Sequence, residues 1–246
     1  MPKTLILIPS RLSASRLPGK PLLKINGLSI ISHVFKKAEK SNVGKVYVCT
    51  GDKEICEDVI NNGGNCVLTT RKHSTGTDRI YEGLQKLNSI DYDYILNIQG
   101  DEPTIDVEDI KKLNKVACKN KSDTATLASE IHNKKNLNET SIVKVQTKKK
   151  LNLHNFSQAT KFFRKASGIN FKNVYHHIGI YQYKKSILKK FIQFSQTKNE
   201  KKYKLEQLRI LENKINIDVI LAKSSPIGVD TKKDYMEIKK LMEYKS

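Results

Sequence analysis

The stretch Thr4-Leu5-Ile6-Leu7-Ile8-Pro9-Ser10-Arg11-Leu12-Ser13-Ala14-Ser15-Arg16-Leu17-Pro18-Gly19-Lys20-Pro21-Leu22 decides the fold. Its apolar opening, Thr4–Ile8, has the unbroken run of a strand buried on both faces. A loop of small residues follows and carries three fixed cations, Arg11, Arg16 and Lys20. Open α/β sheets bind ligands at the carboxyl ends of their strands. Three cations and free backbone N–H groups at such a place suit a triphosphate. The loop is not a Walker A motif, because the G-x-x-x-x-G-K-[ST] spacing is absent.

Outward from that loop the first half of the chain alternates strand and helix. Strands are expected at Thr4–Ile8, Lys45–Thr50, Cys66–Thr69, Tyr94–Ile98 and Thr124–Ala128. Helices are expected at Ile30–Ser41, Lys53–Asn61, Thr77–Asn88 and Asp106–Cys118, with turns at Asn26-Gly27 and Asn62-Gly63-Gly64. Apolar strands separated by amphipathic helices predict a three-layer α/β fold with a mostly parallel, Rossmann-like sheet. After about Asn133 the pattern changes. Strands are expected at Ile142–Gln146, Val174–Tyr183 and Ile217–Ala222, and helices at Lys185–Phe194, Leu205–Asn213 and from Thr231 to about Glu243. Lys148–Lys172 reads as a polar stretch with Phe156, Phe162, Phe163 and Phe171 interspersed, either a satellite core or a subunit contact. Gln196–Lys202 reads as a polar stretch. The length of 246 residues fits one domain, with a smaller subregion at about 134–200.

Composition narrows the setting. There are 45 Lys and Arg against 25 Asp and Glu, a formal net charge of +20. The lysines are spread along the whole chain, which favours solvated faces over a nucleic-acid interface. No charged-then-apolar leader and no membrane-length apolar run is present. Cys49, Cys56, Cys66 and Cys118 lack metal-type pairing and read as reduced, mostly buried thiols, which suits a cytoplasmic protein.

Three further constellations carry chemistry. Leu96-Asn97-Ile98-Gln99-Gly100-Asp101-Glu102-Pro103 ends a buried strand in an acidic turn. A carboxylate there, beside a phosphate loop, is a natural Mg²⁺ ligand, and Asp230 in Gly228-Val229-Asp230-Thr231 is the best candidate for a second. His73-Ser74-Thr75-Gly76-Thr77-Asp78-Arg79 offers backbone groups for a base and ribose. His176-His177-Ile178-Gly179-Ile180-Tyr181-Gln182-Tyr183, taken with Leu205-Glu206-Gln207-Leu208-Arg209, holds groups that bind polyhydroxylated ligands.

The opening loop resembles the signature of the sugar nucleotidyltransferases. Together with the other blocks, in order from Leu5 to about Leu241, the chain resembles the 3-deoxy-manno-octulosonate (KDO) cytidylyltransferases. The resemblance implies transfer of CMP from CTP to the anomeric hydroxyl of KDO, with release of diphosphate, for lipopolysaccharide biosynthesis. It implies a CTP site of Ser10, Arg11, Arg16, Lys20, Ser74, Thr75, Gly76, Arg79 and Asp101, with Arg11, Lys20, Asp101 and Asp230 catalytic. Asp101 and Asp230 would hold Mg²⁺, and Gln99, His177, Tyr181, Glu206 and Gln207 would bind the sugar. A homodimer is implied as well. One departure bears on the substrate: Gln158 stands where the family usually shows an arginine near the sugar. KDO variants, such as an 8-amino form, and other sugar acids are the rival substrates. A basic nucleic-acid-binding protein is the rival from another class.

Overall fold

The computed structural model describes residues 2–13, 16–88, 91–133, 135–153, 155–165 and 171–244. In chain order the strands are β1 (Thr4–Ser10), β2 (Lys24–Ile25), β3 (Leu28–Ser29), β4 (Gly44–Thr50), β5 (Cys66–Leu68), β6 (Tyr94–Asn97), β7 (Thr124–Ser129), β8 (Lys144–Thr147), β9 (Phe156–Phe163), β10 (Val174–Lys184) and β11 (Ile217–Leu221). The helices are α1 (Ile30–Lys40), α2 (Lys53–Asn61), α3 (Gly76–Lys86), α4 (Val107–Lys119), α5 (Lys135–Asn138), α6 (Lys185–Gln193), α7 (Lys198–Tyr203), α8 (Gln207–Glu212) and α9 (Lys232–Glu243). The chain divides into two compact units. The first is Met1–Lys111 with Pro226–Ser246, and the second is Lys112–Ser225.

In the first unit the strands run in the order β5-β4-β1-β6, every neighbouring pair parallel. Leu5, Ile6, Leu7 and Ile8 of β1 are fully buried, as their unbroken apolar run requires. From β1 the chain builds outward through β4 to β5, then returns to the other side of β1 as β6. That reversal is a topological switch point, where strand-end loops diverge and leave a crevice. The loop after β1 and the turn after β6 are therefore neighbours because of strand order alone. The Asn26-Gly27 turn is the two-residue turn of the β2–β3 hairpin. Both residues have positive φ, 48° and 76°, as the primed hairpin turns demand.

The second unit is mixed rather than parallel. β7 pairs parallel to β11, while β10–β7, β10–β8, β8–β9 and β9–β11 are antiparallel, and these ladders close a circuit. The mostly parallel expectation thus holds for the first unit only. β9 lies inside the stretch read only as polar. Its one lysine, Lys161, and its polar residues obscured the alternation, and it buries Phe162 and Phe163 while Phe156 stays exposed. Phe162 and Phe163 are core; Phe156 and Phe171 are surface. The polar stretch before α8 also hides an element, α7. It is capped by Thr197, whose hydroxyl accepts from Glu200 N–H while the Glu200 carboxylate accepts from Thr197 N–H.

Two further readings of the sequence are corrected. Cys56 and Cys66 are joined in a disulfide, with Cα atoms 5.5 Å apart. The Asn62-Gly63-Gly64 turn folds α2 back along β5 and brings the two cysteines together, which spacing alone did not reveal. Cys49 and Cys118 are not disulfide-bonded, and burial pushes the Cys49 thiol up to about 12. Nor are all the lysines solvated. Lys144 is fully buried, and its ammonium donates to the carbonyls of Glu139 (2.5 Å), Ile142 (2.9 Å) and Arg164 (2.7 Å). Burial lowers its pKa.

The strongest ionic commitment in the second unit is Glu200 with Arg209, both 3% exposed. Arg209 Nε donates to Glu200 Oε2 at 2.8 Å, Nη2 binds the other oxygen, and the guanidinium lies 4.4 Å from the Phe191 ring centroid. Breaking a buried pair strands a charge, whereas replacing both partners does not. Arg209→Leu is expected to lower unfolding free energy by about 3–5 kcal/mol. The double change Glu200→Leu with Arg209→Leu should cost less than the single one. Urea titrations of the three proteins check this, and equal losses in single and double variants would exclude a stranded charge as the cause.

Candidate active site

The cationic loop is closed by its own backbone. Gly19 N–H donates to Leu12 C=O at 3.0 Å. Gly19 has φ +71°, a left-handed conformation that glycine adopts without the Cβ penalty of other residues. A single 3₁₀ turn, Lys20–Leu22, follows it and aims Lys20 inward. Ala14 and Ser15 of this loop lie outside the described residues. A second anchor is Asp52, at the start of α2, whose Oδ2 accepts from Leu12 N–H at 2.8 Å. At the head of the loop Ser10 is 7% exposed, and its hydroxyl is buried with no hydrogen-bond partner among the described residues. Arg11 is exposed.

The acidic turn sits against the same strand end. A Cβ on Gly100 would fall 2.8 Å from Pro9 O and 3.0 Å from Ile31 Cδ1, so only glycine lets the turn approach β1 this closely. The segment before α9 docks on that turn through backbone bonds. Val229 N–H donates to Asp101 C=O at 2.8 Å, and Ile227 N–H to Thr104 Oγ1 at 3.0 Å. Asp101 and Asp230, remote in sequence, consequently face one cation. Lys20 Nζ lies 2.5 Å from Asp101 Oδ2, 3.4 Å from Asp230 Oδ1 and 2.8 Å from Val229 O. Arg16 reaches the other Asp230 oxygen at 3.0 Å.

A third carboxylate joins these two. Glu102 Oε2 is buried without a hydrogen-bond partner. Burial, then the Asp101 and Asp230 charges, push Glu102 up to about 8. Crowded carboxylates resist ionising together unless cations offset them. Among the described residues no group of three His, Cys, Asp or Glu closes a metal site by itself. Two carboxylates beside an unpartnered third fit a hard cation such as Mg²⁺, which keeps waters and takes phosphate oxygens as further ligands.

The block at 73–79 forms the capped helix N-terminus that its sequence, read alone, describes. Thr75 is the N-cap of α3, and its hydroxyl is committed to Asp78 in a capping box. Arg79 is 3% exposed and donates to Thr69 Oγ1 (2.7 Å), Thr70 O (3.0 Å) and Arg71 O (3.1 Å). It shapes the 69–71 loop from below. His73 Nε2 is 2.6 Å from Glu82 Oε2. Burial pushes Glu82 up, but the hydrogen bonds from Lys86, Thr70 and His73 together outweigh it and bring it down to about 2. Gly76 opens α3, and Ser74 is exposed just before it.

In the second unit the structure brings His177, Tyr181 and Glu206 into mutual influence. His177 Nε2 lies 2.9 Å from Tyr181 OH and 3.1 Å from Thr126 Oγ1. His177 is 8% exposed and Tyr181 7%. Burial, then Tyr183 and Glu206, raise the Tyr181 pKa, so the phenol keeps its proton. Glu206 occupies the N-cap position of α8, and Gln207, buried, is the first residue of that helix. Gln99 is half-buried in the first unit.

A parallel sheet with a cationic strand-end loop facing paired acids defines a nucleotide-handling α/β enzyme. Known proteins place it further. A family model described as cytidylyltransferase matches residues 5–217. A 3-deoxy-manno-octulosonate cytidylyltransferase of Rhodopseudomonas palustris is 41% identical over 234 residues, 95% of each chain. One from Nitrobacter winogradskyi is 38% identical, covering 94% of this chain and 91% of its own. A solved CMP:2-keto-3-deoxy-manno-octonic acid synthetase complexed with CTP superposes with TM-score 0.88 at 33% identity, over 99% of this chain and 100% of its own. UDP-glucose pyrophosphorylase, at 12% identity and TM-score 0.69, shares the fold. The chain belongs to the cytidylyltransferase family, among the 3-deoxy-manno-octulosonate cytidylyltransferases, and is a nucleotidyltransferase.

Sequence reasoning missed Asp52, Glu102 and Thr126. For Asp52 a signal was present, a Gly-Asp pair closing a buried strand. Glu102 was hidden by its neighbour Asp101. Thr126, one of three hydroxyl residues of β7, gave no signal to set it apart.

The buried histidine sets a pH dependence. Burial, then His176, pushes His177 down from 6.5 to about 3. Below 6.5 the unfolded chain binds a proton that the folded chain refuses, so stability falls with pH until about 3 and is untouched above 6.5. Between pH 7 and pH 5 the wild type should lose about 2 kcal/mol more than His177→Gln. Urea unfolding at both pH values measures this, and equal losses would mean that the imidazole titrates normally in the fold.

Proposed function

We propose that this chain transfers CMP from CTP to the anomeric hydroxyl of KDO, releasing diphosphate, as a step towards lipopolysaccharide. The observation that carries the reading is the meeting of Lys20, Asp101 and Asp230 at the carboxyl ends of β1 and β6. The first unit holds the nucleotide. Arg11, Arg16 and Lys20 neutralise the triphosphate, the buried Ser10 hydroxyl can donate to it, and Arg79 and Thr75 shape the loop and helix start that flank it. Ser74 and Gly76 present their backbone N–H groups towards the cytidine. Asp101 and Asp230 hold Mg²⁺, with Glu102 behind them. Bound there, Mg²⁺ supplies Lewis acidity that lowers the attacking hydroxyl's pKa. The new bond joins the sugar oxygen to the α-phosphorus, and the bond from that phosphorus to the diphosphate oxygen breaks. The contribution of the loop is positioning and charge neutralisation.

Gln99, His177, Tyr181, Glu206 and Gln207 are the groups assigned to the sugar acid. Gln158 lacks the charge of the arginine it replaces, but Lys148 Nζ sits 2.5 Å from Gln158 Oε1 and restores a cation at that position. Arg164 instead donates to the carbonyls of Tyr203, Thr140 and Ser141. This supports KDO itself as the substrate.

We also propose a cytoplasmic setting, on the ground that CTP is held there; the Cys56–Cys66 disulfide removes the reduced-thiol argument for it. A homodimer through the second unit is supported by its exposed apolar side chains, Leu153, Phe156 and Phe171.

Diphosphate release from CTP and KDO, with Mg²⁺ present, tests the reading. Lys20→Ala should raise the KM for CTP, and Asp101→Asn should lower kcat by at least about 100-fold with the fold retained. Wild-type kinetics in both variants would exclude this cluster as the reaction centre.

A further inference from the structure

We propose that the Cys56–Cys66 disulfide is a site of thiol–disulfide exchange: a dithiol reductant opens it, and the opened form binds CTP less tightly because the start of α2 no longer steadies the cationic loop. The inference rests on reading that loop as the triphosphate site.

The bond ties the first half of α2 to the first residue of β5, the outer strand of the first unit's sheet. Both ends lead to groups that shape the nucleotide end of the sheet. Cys56 N–H donates to Asp52 C=O at 3.3 Å, one helical turn back. Asp52 holds the N-cap position of α2, yet its side chain makes no cap hydrogen bond. Its carboxylate is spent on Leu12 N–H, at 2.8 Å, inside the cationic loop. Three residues after Cys66, Thr69 N–H donates to Thr50 C=O at 2.7 Å, and Thr69 Oγ1 accepts from Arg79. The two cross-linked segments meet again at Gly51, where a Cβ would fall 2.6 Å from Arg71 Cα.

The remaining ties decide what opening the bond would do. Asp58 Oδ2 accepts from the hydroxyls of Ser29 (2.5 Å) and Ser32 (2.9 Å), and Gly64 N–H donates to Val59 C=O at 2.8 Å. These hold the second half of α2 to the start of α1 and to the turn before β5. The disulfide is the covalent tie of the first half. Its loss therefore loosens Asp52 and leaves the helix in place, a local change rather than unfolding.

Cys56 and Cys66 are both partly exposed, so a reductant can reach them. Cys49, on the neighbouring strand, is fully buried and its thiol is pushed up to about 12. Attack on a disulfide needs a thiolate, so Cys49 does not compete. In the exchange a thiolate of the reductant bonds to one cysteine sulfur, and the Cys56–Cys66 bond breaks. The reductant's second thiolate then displaces that cysteine and closes the reductant's own disulfide. Two electrons pass to the protein, and each released sulfur takes up a proton. The same steps reversed, with an oxidised dithiol, remake the bond. Cytoplasmic proteins meet such reductants, and the disulfides found there are usually transient, catalytic or redox-sensing.

The experiment uses the full chain equilibrated with dithiothreitol or with its oxidised form. Alkylation of the folded protein and peptide mass spectrometry should find Cys56 and Cys66 blocked in the oxidised sample and modified in the reduced one. Reduction should raise the KM for CTP about fivefold, the worth of one net hydrogen bond to the loop, with the KM for KDO unchanged. Cys56→Ser and Cys66→Ser should show the raised KM without reductant and no further response, while Cys118→Ala should respond as the wild type does. Asp52→Ala should match the reduced enzyme and barely change on reduction. Free Cys56 and Cys66 in the oxidised protein, or a bond that dithiothreitol leaves intact, overturn the proposal, and both are readable on the wild type even if the variants fail to fold. An unchanged KM for CTP after complete reduction overturns it too, as does loss of the response in Cys118→Ala or a full response in Asp52→Ala. Lys20→Ala separates the two levels. If it leaves the KM for CTP unchanged, the triphosphate reading of the loop fails and the proposal with it. If it raises that KM while reduction does not, only the exchange site is lost.

Discussion

The contact of one ammonium with two carboxylates, Lys20 with Asp101 and Asp230, is the constraint on which the first unit depends. Each group comes from a different part of the chain: the loop after β1, the turn after β6 and the segment before α9. Carboxylates crowded this closely repel unless a cation lies between them. The cation offsets that repulsion, and the backbone bond from Val229 to Asp101 fixes the spacing. Glu102, buried behind them, is pushed up to about 8 by burial first and by the two charges second, so it holds its proton and adds no third charge at neutral pH. A site that balances cations against carboxylates suits the polyanionic nucleotide and the divalent metal proposed for it, since each brings the partner the other half requires.

The scaffold beneath the site is made rigid by small commitments. Gly100 permits the approach to β1, Gly19 turns the cationic loop, Asp52 ties it at Leu12, and Arg79 holds the 69–71 loop by three acceptors. These residues position rather than react. Several of them had the residue types of ligands, and their chemistry is spent on backbone instead. In a loop-built site this is expected: a strand-end loop has few neighbours, so its geometry must be set by side chains that reach its own N–H and C=O groups.

The second unit works by burial of polar groups rather than by exposed charge. Lys144 satisfies three carbonyls, Glu200 and Arg209 neutralise each other, and Thr126, His177 and Tyr181 share one network. In a low-dielectric interior each such group is costly alone and directional when paired.

Much was legible from sequence. The unbroken apolar run of β1 predicted a buried parallel strand, and the alternation of strands and helices predicted the α/β class, because hydrophobic periodicity reports burial directly. The cations of the first loop, the acids Asp101 and Asp230, and the block around His177 and Tyr181 stood out because chemistry is carried by residue type. Other features were not legible. β9 and α7 were masked by polar residues on their solvent faces, the Cys56–Cys66 bond depends on how α2 folds back along β5, and the commitment of Arg79 and Thr75 to backbone depends on local geometry. The sequence by itself determined which charges and hydrophobic faces this chain possesses. Only the tertiary structure decided which of them meet, because strand order and a two-residue slip in the β10–β7 register, neither written in residue type, set the distances over which hydrogen bonds and ion pairs act.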